Sequence, residues 1–194
     1  MKKRILVLAN SIKHQGKCLA GKDIETKEWI RVVGNSSGKE LHNINIPPLS
    51  IVDMELEPAP LKHQPDNHVL KSWNIVGEAD ISQISPYLDA PHDLWGIGHS
   101  VFYQYIQDEL ISIPQSLYIV PVKNIQLYWR DRSDIGKEPQ RRGRFIYNST
   151  LYDLPITDPK FEHMIEETLF NKYLTISLGE PFNGSCYKIL ASIL

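Results

Sequence analysis

The tightest constraint on the fold lies in residues 51–57, where Ile51, Asp53, Glu55 and Glu57 fall on one parity and Val52, Met54 and Leu56 on the other. A period of two marks a strand with one face in a core and the other in water. Pro47-Pro48 before it and Pro58 and Pro60 after it bound the strand. Three more strand-length runs precede it, at residues 4–9 (RILVLA), 17–22 (KCLAGK) and 28–33 (EWIRVV). Short strands with a long polar loop suit a small barrel better than a parallel α/β sheet.

The middle of the chain reads differently. Residues 80–88 and 100–110 have helical spacing, with Val101, Tyr105, Ile106 and Leu110 near one face of the second segment. Residues 76–115 are therefore expected to form a helical connector. β character returns at residues 116–122 (SLYIVPV), 124–130 (NIQLYWR), 144–147 and 150–156. Asp158 with Pro159 after it reads as the N-cap of a helix over 158–173, with Phe161, Ile165, Thr168 and Leu169 inward. Residues 174–178 and 187–194 are the last strands. The expected class is mainly β with some α: two small antiparallel barrels, at 1–75 and 116–194, joined by the connector.

The formal net charge is −2, but it is unevenly spread. Fourteen of the 21 Lys/Arg residues fall within 1–31 and 129–145, which carry +5 and +3, while 32–128 carries −7 and 146–194 carries −3. If the two halves pack together, these basic stretches can meet on one face and attract an anionic partner. Two solvated loops that never meet would have the same composition. The two cysteines, Cys18 and Cys186, do not make a disulfide framework and are expected to be reduced and at least partly buried. The start, Met1-Lys2-Lys3-Arg4, runs straight into a strand and lacks the long apolar core of a signal peptide, and the apolar runs are too short to span a bilayer. A cytoplasmic protein with no membrane partner is expected.

The opening ILVLANSIKHQGKCLAGK with EWIRVV, the stretch HQPDNHVL at 63–70, SLYIVPV, LPITD at 154–158 and the ending SLGEPFNGSCYKILASIL together resemble the prokaryotic dual OB-fold (dual OB-containing) domain family. The likeness spans nearly the whole chain. It implies two OB-like barrels and a nucleic-acid or nucleotide role in prokaryotic conflict or repair. Fold alone does not fix function.

Two segments carry the candidate site. In residues 10–17, Asn10 and Ser11 could hydrogen-bond a phosphate or base, Lys13, His14 and Lys17 could meet phosphates, and Gly16 would permit a positive backbone angle. A plain connecting loop is the alternative. The segment is not a P-loop, because Asp23 stands where Ser/Thr is required after Gly21-Lys22. Arg31 follows in the third strand. The second segment sets Arg130, Arg132, Arg141, Arg142 and Arg144 around Trp129, a composition suited to single-stranded nucleic acid: arginine supplies charge and a planar face, Trp a stacking platform. Interleaved Asp131, Asp134 and Glu138 allow instead an ion-paired loop with Trp129 in the core. Lys188, among apolar residues, reaches solvent or a ligand. The seven histidines lack metal-ligand spacing, and neither a metal nor a cofactor is expected.

The leading expectation is a non-catalytic protein that binds single-stranded DNA or RNA. An enzyme acting on a nucleotide or base in a pocket between the barrels, and a protein-interaction adaptor with a protein partner, remain open.

Overall fold

The computed structural model describes residues 1–13, 16–42, 44–163 and 165–194, with backbone alone at Lys13. The chain is mainly β. The first half contains β1 (Lys2–Lys13), β2 (Gly16–Asp23), β3 (Trp29–Val33), β4 (Ser50–Pro58) and β5 (Asn67–Glu78). These close into a barrel in the order β1-β2-β3-β5-β4. Every pairing is antiparallel except β3 with β5, where Arg31, Val32 and Val33 lie beside Asn67, His68 and Val69 in parallel. The alternation at 51–57 is realised: Val52, Met54 and Leu56 are buried within the barrel, and Glu55 and Glu57 face water.

The second half follows the same plan. β6 (Ser100–Phe102) and a short helix, α1 (Tyr103–Gln107), lead into β7 (Leu117–Arg130), β8 (Gln140–Tyr147), β9 (Thr150–Pro155), β10 (Glu167–Phe182) and β11 (Ser185–Ile193). The sheet runs β6-β11-β10-β7-β8-β9. It curls until Ile156, just past β9, forms a parallel bridge to Leu190 of β11. With β6 set aside as an extra edge, the five long strands repeat the cyclic order of the first barrel, and the closing contact is again parallel, between third and fifth strands. Both halves are therefore OB-like, the first closed and the second a curled sheet. Gly143 marks how tightly the second curls: a Cβ there would sit 2.5 Å from Leu190 Cδ1 and 2.7 Å from Ile125 Cδ1.

Three of the four apolar clusters among the described residues hold the barrels and the seam between them. Ile5, Val7, Leu19, Ile30 and Val52 fill the first barrel. Ile125, Phe145, Tyr152, Leu174 and Leu190 fill the second. Between them lies a third, in which Leu6, Leu8, Ala20 and Trp29 pack against Leu117, Ile119 and Ala191. This explains why residues 5–9 are apolar without alternation: Ile5 and Val7 point into the barrel, Leu6 and Leu8 into the seam, so both faces of β1 are dry. Each fully buried Leu or Ile contributes roughly 1.5–3 kcal/mol.

Three expectations are corrected. The helix over 158–173 does not form. Asp158 does cap a turn, accepting from Lys160 N at 2.9 Å, but the turn ends at Phe161. Its second carboxylate oxygen accepts from Ile193 N at 3.0 Å, and the chain enters β10 at Glu167, where it pairs with β7. Sheet pairing outweighs local helix propensity there. The connector likewise holds two single 3-10 turns (Ile81–Gln83, Ser85–Tyr87), the strand β6 and the five-residue α1 instead of two helices. The described residues of 10–17 are no free loop either, because residues 10–13 of β1 pair with residues 16–19 of β2. β5 was not foreseen as a strand. Its outer residues, from Lys71 to Glu78, are exposed, and the short alternation of Trp73 and Ile75 with Ser72 and Asn74 breaks off at Val76-Gly77.

Both cysteines are free, Cys186 buried and Cys18 half-buried. Burial pushes the Cys186 thiol up to about 11. No helix among the described residues is long and apolar enough to cross a membrane.

Candidate functional site

Of the expected site residues, Ser11, Lys17 and Arg31 come together. They line a cavity of about 310 Å³ at the seam, walled on the first-barrel side by β1, β2 and β3 and on the other by β10 and β11. Ser177, Phe182 and Tyr187 are its main second-barrel residues, and Lys39, Glu40 and Glu180 also line it. Gly16 has no positive φ; it is glycine for closeness, since a Cβ would lie 2.6 Å from the Leu41 carbonyl that bonds Lys17 N.

Arg31 is 3% exposed and pins the two barrels together. Its Nη2 donates to Ser116 Oγ at 2.8 Å, to the Ser116 carbonyl at 3.0 Å and to the Leu178 carbonyl at 3.3 Å, while Nε reaches Ser116 Oγ at 3.2 Å. Asp66 completes the network by accepting from Ser116 N and Oγ at 3.1 and 2.5 Å. Gln64 Nε2 also donates to the Leu178 carbonyl, at 3.1 Å. A buried guanidinium is tolerable only with such acceptors. Its Nη1 rests against Cys18 Sγ at 3.6 Å. Asn10 is buried, and its Nδ2 donates to the Ile46 carbonyl at 2.9 Å. His14 and the Lys13 side chain lie outside the described residues.

The arginine segment is split by strand alternation. Trp129 and Arg130 belong to β7, Arg141, Arg142 and Arg144 to β8. Trp129 is directly opposite Arg141, and Tyr128 opposite Arg142. Trp129 and Arg141 continue the inward parity of Leu127 and Gly143 beyond the packed core. At 37% exposed, Trp129 is not a core residue. Arg142 and Arg144 take the outward parity and meet Asp153, Arg142 Nε at 2.8 Å from Oδ1 and Arg144 Nη2 at 3.2 Å from Oδ2. Arg144 also lies 5.0 Å from the centre of the Tyr128 ring. Burial pushes the Asp153 carboxyl up, but hydrogen bonds from Tyr128, Arg142 and Arg144 outweigh it and hold the group below the usual carboxylate range. Arg132 bends back to the Glu138 carbonyl at 2.9 Å, and Arg130 is exposed.

One backbone segment joins the two basic stretches. Ile12 N donates to the Thr157 carbonyl at 2.9 Å, and Ile156 N to the Arg141 carbonyl at 3.0 Å. Arg141 Nη1 also reaches the Asp158 carbonyl at 3.4 Å. Thr157 itself lines the cavity. The β1–β2 hairpin and the Arg141 end of β8 thus flank residues 156–158.

Lys188 is not part of this surface and does not reach water. Fully buried, its Nζ donates to the carbonyls of Gly96 and Gly98 at 2.6 and 3.0 Å and lies 5.4 Å from the Tyr152 ring centre. It fastens the strap at residues 94–98, where Trp95, Gly96 and Gly98 all have positive φ. Desolvation pulls its amine down to about 8, with the Asp93 carboxylate acting the other way.

Sequence reasoning missed Lys39, Ser177, Phe182 and Tyr187. The available signal was the turn Pro181-Phe182-Asn183-Gly184, which carries an aromatic residue at a hairpin tip.

Among solved structures, the chain is similar to one in the structure of a replication protein A heterotrimer bound to ssDNA, at 10% identity and a TM-score of 0.29, covering 99% of this chain and 49% of that one. The chain thus spans about half the length of that relative. No curated protein matches its sequence. The family model described as the dual OB-containing domain matches residues 3–193, and the chain belongs to that family.

Proposed function

We propose that this protein binds single-stranded nucleic acid along the seam between its barrels, in the cytoplasm and in the conflict or repair setting that its family resemblance implies. The observation carrying the proposal is the meeting of the β1–β2 hairpin and Arg141 at residues 156–158. Lys17, Lys39 and Arg141 supply positive charge along one path, and Trp129, Phe182 and Tyr187 supply ring faces for bases. Cationic grooves with aromatic platforms bind single strands with little sequence preference.

The test is a titration of the full chain with single-stranded DNA and RNA oligonucleotides over a range of salt. Affinity should fall log-linearly with salt, by a slope of roughly 0.7 per neutralised phosphate. Absence of binding to either strand at low salt would remove the proposal. Trp129→Ala should weaken binding with little change in salt slope, because a stacked ring carries no charge.

A further inference from the structure

The seam cavity has a floor unlike an ordinary packing defect. Ser177 is 2% exposed, yet its hydroxyl has no hydrogen-bond partner among the described residues. A buried hydroxyl is normally paired, and the unpaired one of this cavity-lining residue can serve a ligand atom after a turn about its Cα–Cβ bond. Next to it along the wall, the Arg31 Nη1 meets the soft sulfur of Cys18 at 3.6 Å, while the rest of the guanidinium is committed to the seam. Ile12, Val33 and Ile189 give the wall an apolar character. Phe182 and Tyr187 lie toward the second barrel, with ring centres 6.5 Å apart and planes 55° apart. Lys17 and Lys39 bring positive charge from the first.

We propose that this cavity is a pocket for a single nucleotide. Its volume of about 310 Å³ suits one nucleotide and excludes a stacked run. The aromatic pair and apolar wall suit a base. Ser177 Oγ and the Arg31 edge offer hydrogen bonds to it, and the two lysines suit its phosphate. The pocket deepens the strand-binding reading and rests on it in one respect: the occupant is then one unstacked residue of the bound strand. A free mononucleotide presents the same chemistry.

The experiment uses the full chain, the four 5′-ribonucleoside monophosphates, and 20-nucleotide single strands of DNA and RNA. Two variants probe the pocket. Phe182→Ala removes a ring that is 63% exposed, so the fold does not depend on it. Ser177→Ala removes only the unpaired hydroxyl, and thermal melting checks that both variants fold. The expected result is saturable binding of at least one monophosphate and of the strands, each weakened about tenfold by Phe182→Ala and less by Ser177→Ala. Strand binding that neither variant changes, with no monophosphate binding, overturns the pocket and leaves the strand reading intact. Monophosphate binding weakened by Phe182→Ala, without strand binding, supports the pocket and overturns the strand reading. No binding of either ligand overturns both.

Discussion

The two basic stretches use their charge in different ways. In the first barrel much of it is turned inward. Lys22 is 4% exposed and pairs with Asp89 at 2.6 Å, and Asp89 also accepts from Trp29 Nε1 at 2.9 Å and Ile119 N at 2.8 Å. Arg31 is buried in the Ser116–Asp66 network. Lys3 pairs with the buried Asp23 at 2.6 Å. These cations hold elements together. In the second barrel the arginines lie on β7 and β8, and alternation sends Arg142 and Arg144 to Asp153 while Arg141 turns the other way and reaches the Asp158 carbonyl. Charge density along the chain therefore overstates the charge available to a ligand. Lys17 and Lys39 line the seam cavity, and Arg141 lies beside residues 156–158.

The comparison is sharpest at Arg31. Arg31→Ala is expected to cost about 3–5 kcal/mol, as for other buried charges whose partners are left unpaired, read by urea denaturation. Arg31→Lys should recover little, because one ammonium cannot span Ser116 and Leu178 as the planar fork does. A cost under about 1 kcal/mol would mean the barrels do not rely on this pin.

Lys22→Met comes next, expected at about 3 kcal/mol because Asp89 is left with its charge and without its cation. On the second barrel, Arg144→Ala should cost less than about 1 kcal/mol, the range of exposed ion pairs. If the two variants cost the same, the inward–outward distinction between the halves fails.

For ligand binding, Arg141→Ala should lower the salt slope for single strands by roughly 0.7. The pair Arg142→Ala and Arg144→Ala should change it less, since both side chains are engaged with Asp153. Equal slopes for the two sets would place the strand on the outer face of β8 instead.

A further expected effect is a pH dependence at Lys188. Its amine titrates near 8 in the folded chain, below the ordinary 10.5, because of burial. Between those values the unfolded chain binds more protons than the folded one, so this group adds stability as pH rises from about 8 toward 10.5. Below 8 both states are protonated and the burial penalty is fully present. The stability of the natural chain relative to Lys188→Met should therefore rise over that window, as measured by denaturation at several pH values. A difference that stays flat would mean the amine is not desolvated.

Much of the architecture was legible in the sequence. Period-two alternation at 51–57, apolar runs at both ends and the proline punctuation are local signals, and each depends only on which face of a strand meets water. The strings that resemble the dual OB-containing domain family implied two OB-like halves, and the fold has them. The helix expected after Asp158 failed for a nonlocal reason. Its residues have helical spacing, but β7 offers a full ladder of backbone partners, and a single sequence does not reveal that ladder.

The candidate site divides in the same way. Lys17, Arg31 and the arginines were legible as residue types, and the parity that separates Arg141 from Arg142 and Arg144 was present in their spacing. That Arg31 is a pin, that Lys188 fastens a strap, and that Ser177, Phe182 and Tyr187 share a cavity with Ser11 and Lys17 were decided only by the tertiary structure. The physical reason is that the seam joins β1–β3 to β10–β11, more than 100 positions apart in the chain. Burial and partnership across such a gap depend on how the two barrels pack, and local patterning carries no record of it.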